Sequence, residues 1–448
     1  MISSVSTEHG DDLTVAPALR FLSLLLLAEV LLIAASWPLW TTIDQFPAVP
    51  LLAAFCAAPV VIDQGCTVVL CVSAIVGCMA IVRELAKCRS VVSTEISRRR
   101  PPSDKNGKFV APCLLLSLLC GCLLAVLNQH RLQPWHWLFL LITLQALLLR
   151  GAARLALFRL TLASIYVFAA ASRWGPDVDS GMSRQVLSVL LKAINGESLL
   201  RNSSFVLGGC VAMTVVEFLT GVLLLTCRFR RVGIATAIAM HATLIFALSP
   251  WGLNHHFGVL VWNAFLLLAV PVLFAGACQN RELQNGFTTT KAKILAAFVV
   301  LFPLSGLFAV ADNWLSWQVY SPRPEVVRIY IHEEFTDVLP SELRPFVGQP
   351  APLDVWCPVR IDQWSLQATS VPLYPEDRFQ LAIAGRLIEI VDDPNAIKIL
   401  IDEPHQQPWR KRRTQTIDRA ALGDRVSQFL FNGNCVRKPF TRTRIAER

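Results

Sequence analysis

Charge is what this sequence has least of. Asp, Glu, Lys and Arg make up 16% of its 448 residues, against 54% apolar residues and a mean hydropathy of +0.50. Soluble globular chains carry about 25% charged residues, so this composition excludes an ordinary water-soluble domain and implies a polytopic membrane protein. Several motifs are missing as well. There is no GxxxxGK[ST] loop, no HExxH, no dinucleotide fingerprint in a βαβ setting and no GxSxG elbow. Nucleotide-driven transport, zinc proteolysis and serine-nucleophile hydrolysis therefore lack support. The thirteen cysteines contain no CxxC pair, since Cys120 and Cys122 are one residue apart, so a dithiol redox centre is unsupported. No internal repeat and no matched pair of broken helices of the inverted-repeat transporter kind is evident.

What the chain does contain is a series of apolar runs. Met1 to Pro17 is polar and lacks a basic region, so Phe21 to Ala35 is predicted to be a retained helix, with Glu29 near its middle. Trp37 to Pro59 reads as an interfacial excursion or a broken short helix. Further spans are predicted at Cys66–Val82, Val110–Leu127, Trp135–Leu149 and Leu157–Ala171. After the amphipathic segment Met182–Ile194 come three runs within Phe205–Phe274, and Ile294–Val310 is the last span. The total is nine helices. Short loops rich in Lys and Arg stay cytoplasmic. With the amino terminus inside, eighteen Lys/Arg fall on the cytoplasmic side, eight of them within 83–108, and five on the other. This places the protein in the cell inner membrane with everything after Asp312 outside.

Residues 320–448 have a soluble composition and enough length for a small core. Val326–Ile331 and Ile397–Ile401 read as strands. Phe379, Ile383, Leu387 and Ile390 recur at helical spacing. The expected fold class is thus an all-α membrane bundle with a small extracytoplasmic α+β domain, preceded by helices 1–154, a core at 155–275 and a last helix within 276–319. Cys357 and Cys435 lie in the outer domain, where an oxidising compartment makes them a disulfide candidate. Arg410 to Arg413 reads as a solvated loop or a contact for lipid phosphates.

Two ionisable residues stand at equal depth in the hairpin that turns at Phe229. Glu217 and His241 each lie twelve positions from it, about 18 Å at ~1.5 Å per residue, near the middle of a hydrocarbon layer ~30 Å thick. Such residues face a bundle interior and mark a site or a pathway. The pair reads either as a proton relay or headgroup site, or as a structural pair that fixes helix register. Tyr166 and Glu29 are candidates to join it. Asn254, His255 and His256 lie at the outer mouth, on the same side as His130 and His136. Their spacing matches no closed metal-ligand pattern, and a polar turn is the better reading. Asn263 is expected to bond across to a neighbouring helix.

The run Arg159–Trp174, the amphipathic connector, a small-residue-rich helix ending in a basic turn, and Met240–His241 followed by Gly252–Asn263 resemble the four-helix core of DoxX/MauE-like and HTTM-like bacterial membrane proteins. The likeness covers about 155–275. The exit Asp312–Arg323, with Trp364–Leu366 and Val371–Pro375, is similar to that of a subset with an extracytoplasmic tail. The resemblance implies a compact bundle associated with maturation of exported redox enzymes, quinone-linked chemistry or, in one branch, vitamin K-dependent carboxylation. No lysine lies inside a predicted span, so carboxylation is not carried over. The expectation is an accessory protein that binds a lipid or quinone-like molecule and supports redox or envelope processes. The alternatives are a membrane enzyme using Glu217 and His241 for acid/base chemistry, and a scaffold for an exported redox or envelope protein acting through 320–448. No nucleic acid partner is expected.

Overall fold

The computed structural model describes residues 5–41, 45–94, 107–175, 177–276, 287–393, 395–403, 412–417 and 419–437. It is mostly helical, with a small antiparallel sheet, and the chain divides into two compact units. Seven helices among the described residues are long and apolar enough to cross a membrane.

The first unit comprises Met1–Ala34, Val68–Gly121 and Pro134–Pro322. Its helices are α1 (Val5–Ala35), most of α3 (Val60–Thr94), α4 (Gly107–Leu127) up to Gly121, α5 (Pro134–Leu148), α6 (Gly151–Ser172), α7 (Gly181–Ala193), α8 (Ser203–Leu225), α9 (Arg230–Leu248), α10 (Phe257–Phe274) and α11 (Thr290–Gly306). A short α2 (Trp37–Thr41) belongs to the second unit. Of the nine predicted spans, α5 is an apolar helix of 15 residues and α11 has 17, and neither is among the seven. The second predicted span is longer than its apolar run, because the helix continues through Arg83 and Lys87 to Thr94. The basic residues Arg98 to Arg100 lie outside the described residues.

α6 is the central helix. Its apolar window is 83% buried, against 28% for α8 and α9, and it packs against α5, α8, α10 and α11. Phe158 on α6 meets Phe21 of α1, which also meets Phe265 of α10. Gly221 allows α8 to approach α6. A Cβ there would lie 2.9 Å from the Ala163 carbonyl oxygen and 2.7 Å from Val167 Cγ2, so only glycine fits without moving a helix. α7 is amphipathic, and its buried Leu187 and Leu191 pack on Val206 and Cys210 at the start of α8. Asn202 caps α8 by accepting from the Phe205 amide at 3.2 Å.

The second unit comprises Ala35–Thr67, Cys122–Gln133 and Arg323–Arg448. It is wider than the 320–448 module expected from composition, since two earlier segments fold with it. Its sheet has the order β2-β1-β3-β4, all antiparallel, built from β1 (Val326–His332), β2 (Trp356–Val359), β3 (Ile397–Glu403) and β4 (Arg413–Ile417). Val327, Ile329 and Ile331 are buried and alternate with more exposed residues, as a half-covered strand requires. Of the three helices α12 (Ile361–Thr369), α13 (Asp377–Val391) and α14 (Arg419–Ser427), α13 packs its buried face against β1 and β3.

Buried polar contacts tie the early segments to the late one. The Asp63 carboxylate accepts from Arg131 Nη1 at 2.5 Å and from both Nη atoms of Arg437 at 3.0 and 2.7 Å. All three side chains are at most 1% exposed. Backbone carbonyls accept further bonds: Leu39, Trp40 and Leu124 from Arg131, and Ala58 and Leu127 from Arg437, whose Nε is left without a partner among the described residues. Arg378 donates to Gln129, which in turn donates to the Asn432 carbonyl.

A disulfide joins Cys56 to Cys435. This corrects the Cys357–Cys435 expectation. Cys357 is a free, buried thiol on β2, while the return of the chain to the 48–58 segment brings Cys435 to a cysteine from the first excursion. Arg412 donates to the Pro324 and Asp402 carbonyls and Arg413 opens β4, whereas Arg410 and Lys411 lie outside the described residues.

Candidate functional site

A cavity of about 450 Å³ lies in the first unit. Its walls are mainly apolar: Ile165 and Ala169 of α6, Val186 and Leu190 of α7, Met213 and Val216 of α8, Met240 and Leu244 of α9, and Trp262 and Leu266 of α10. Its exposed lining residues are Ala212, Val216, Ala239 and Tyr320. The cavity therefore opens between α8 and α9 and beside the segment that carries Tyr320. Volume, apolar lining and a few convergent polar groups are the properties of a small-molecule site.

The polar groups form two sets. In the first, the Tyr166 hydroxyl lies 2.8 Å from His241 Nε2, and His241 Nδ1 lies 3.0 Å from Asn263 Oδ1. Asn263 Nδ2 donates to the Val259 carbonyl at 2.9 Å, one turn earlier on α10. Three helices each contribute one member, and all three residues are buried. Each net hydrogen bond of this kind is worth ~0.5–1.5 kcal/mol, and leaving one partner unpaired costs more. In the second set, Arg173 Nη1 is paired with Glu217, and Nη2 donates to the Val319 carbonyl at 3.1 Å. Ser321 donates to the Ser172 carbonyl at 2.9 Å. These two bonds hold the segment after α11 across the end of α6, where Trp317, Val319 and Tyr320 complete the cavity wall.

Glu217 and His241 both line this cavity, but they are not partners. The guanidinium of Arg173 reaches Glu217 first, because the close approach at Gly221 sets Glu217 opposite the last turn of α6. Tyr166 and Asn263 instead take the two ring nitrogens of His241. In the sequence Arg173 is one of the five basic residues on the outer side and falls inside the Arg159–Trp174 run. Its place directly after the small-residue run Ala169–Ser172 was the signal available.

Glu29 is not part of the cavity. It pairs with His136 Nδ1 at 2.6 Å, and His136 Nε2 donates to the Gly121 carbonyl at 3.2 Å, a second buried polar site elsewhere in the unit. Asn254, His255 and His256 form the turn between α9 and α10 and do not line the cavity. The Asn254 amide returns to Ser249 and the His255 amide to Leu248, with Asn254 in the left-handed region at φ 50°. Among the described residues no group of three or more His, Cys, Asp or Glu is placed to hold a metal ion.

Comparison with protein-family models, curated proteins and solved structures returns no match to this chain.

Proposed function

We propose that this chain is a nine-span protein of the bacterial inner membrane, allied to the DoxX/MauE-like and HTTM-like bundles, that binds a lipid or quinone-like amphiphile in the α6–α10 cavity. The observation that carries the reading is the apolar cavity itself, open sideways between two helices and bearing a hydrogen-bonded polar cluster on its inner wall. A sideways opening suits a molecule that arrives from the hydrocarbon layer.

In this reading the second unit is extracytoplasmic. Counting crossings as seven or as nine leaves 323–448 on the same side as the segment after α1, because both numbers are odd. That parity agrees with the folding of 35–67, 122–133 and 323–448 into one unit. The Cys56–Cys435 disulfide suits an oxidising compartment, and the basic 83–108 stretch suits the opposite, cytoplasmic side.

Mass spectrometry of lipophilic molecules retained after purification in mild detergent tests the reading. A stoichiometric lipid or quinone in the wild type, lost when Ala239→Trp fills the opening, is the expected result. An empty wild-type cavity refutes it. A second reading, acid/base catalysis on a membrane-embedded substrate, is favoured by one feature: His241 is oriented by Asn263 and touches a hydroxyl, the arrangement of an activated side chain held by a third group. Turnover of a retained molecule that stops in His241→Gln, with retention intact, would establish it over simple binding.

A further inference from the structure

The hydrogen bonds around His241 determine which way its protons point. The Val259 carbonyl can only accept, so the Asn263 amide nitrogen must face it and the amide oxygen must face His241 Nδ1. That oxygen also only accepts. Nδ1 therefore carries the ring proton, and neutral His241 presents Nε2 as a lone pair to the Tyr166 hydroxyl. An imidazolium would reverse the Tyr166 bond, but it would be buried at 3% exposure with the nearby carboxylate of Glu217 already engaged by Arg173. Tyr166 has one proton, and His241 holds it. Toward the cavity it offers only lone pairs.

We infer, resting on the reading of the cavity as an amphiphile site, that the cavity selects a ligand whose head group is a hydroxyl over the same molecule with a carbonyl. The class is an apolar-chain amphiphile bearing O–H, either a hydroquinol or a long-chain alcohol. A hydroxyl donates to Tyr166 Oη and leaves the Tyr166–His241–Asn263 chain intact. A carbonyl at the same place must draw the Tyr166 proton to itself, which strips buried Nε2 of the one donor it has among the described residues.

The test is calorimetric titration of the full chain in lipid nanodiscs with two matched probe pairs. One is a decyl-substituted benzohydroquinone and its benzoquinone, kept anaerobic; the other is a twelve-carbon secondary alcohol and its ketone. The hydroxyl member should bind roughly tenfold more tightly, the factor that ~1.4 kcal/mol of unpaired-acceptor cost produces. Tyr166→Phe should abolish the preference by weakening the hydroxyl member alone. Discrimination in the quinone pair only identifies the ligand as a quinol, and discrimination in both pairs extends it to any hydroxyl head group. Equal affinity within both pairs overturns the inference and leaves the cavity as an amphiphile site. No binding by any of the four probes overturns both. The wild-type preference is decisive even if Tyr166→Phe fails to fold.

Discussion

Replacing Asp63 by Asn is the sharpest test of how the second unit is held together. Asn is nearly isosteric and keeps one acceptor oxygen, so the change removes charge and little volume. The buried cluster holds two guanidinium groups and one carboxylate, and its side chains are at most 1% exposed. After the substitution, Arg131 keeps its three carbonyl acceptors and Arg437 its two, but two cations face each other without a counter-charge. Breaking a buried pair in this way costs ~3–5 kcal/mol. For a unit of 150–250 residues each kcal/mol moves the midpoint by ~2–4 °C, so a loss of ~6–20 °C is expected. Thermal unfolding read by protease susceptibility of the 323–437 region measures it. Arg437→Met should cost less than Asp63→Asn, because it leaves Arg131 and Asp63 as a matched pair. If Arg437→Met proves the more damaging, or Asp63→Asn shifts the midpoint by under ~3 °C, the charge argument is wrong.

Two pH effects in the second unit run in opposite directions. Burial beside Asp377 pushes Glu325 up to about 8, so its contribution to stability is present below its ordinary range and is lost as pH rises through 8. Unfolding midpoints should fall between pH 6.5 and 8.5 in the wild type and stay level in Glu325→Gln. Burial pulls His130 down to about 4, against the raising effect of its bond to the Pro372 carbonyl. Its contribution is therefore present above pH 6.5 and lost as pH falls through 4, and His130→Gln should flatten that acid limb. Gly221→Val should cost ~1–3 kcal/mol by overpacking against Ala163 and Val167, with ligand retention lost alongside the separation of α6 from α8. Non-reducing peptide mapping should link Cys56 to Cys435 and leave Cys357 free to alkylate after denaturation; a Cys357-containing crosslink would contradict the arrangement.

Most of the long helices and two of the four strands were legible because periodicity and length are local properties, whereas β2 and β4 were not read. The strands at Val326 and Ile397, the amphipathic α7 and the apolar face of α13 all follow from spacings within a single segment. The division into units was not, because it depends on contacts separated by hundreds of residues. Asp63 reads as an ordinary first-turn acid until Arg437 and Arg131 are brought to it. Likewise Cys56 reads as one more apolar-segment cysteine until the chain returns at Cys435.

The same distinction explains the site. Depth along a helix is a matter of counting, so Glu217 and His241 could be placed at one level of a hairpin, and both line the cavity. Azimuth is not, since it depends on which helix lies against which face. Gly221 decides it by admitting α6 within contact of α8, and Arg173 arrives at Glu217 as a result. His241 is then left to the hydroxyl of Tyr166 and the amide of Asn263, residues on α6 and α10. An ion pair and a hydrogen-bonded Tyr166–His241–Asn263 chain in one cavity thus replace the single Glu–His pair that equal depth suggested. Their separation matters chemically. With Glu217 held by Arg173 and the two ring nitrogens of His241 bonded to a hydroxyl and an amide oxygen, the cavity carries a salt bridge and a separate hydrogen-bonded chain rather than one coupled acid–base pair.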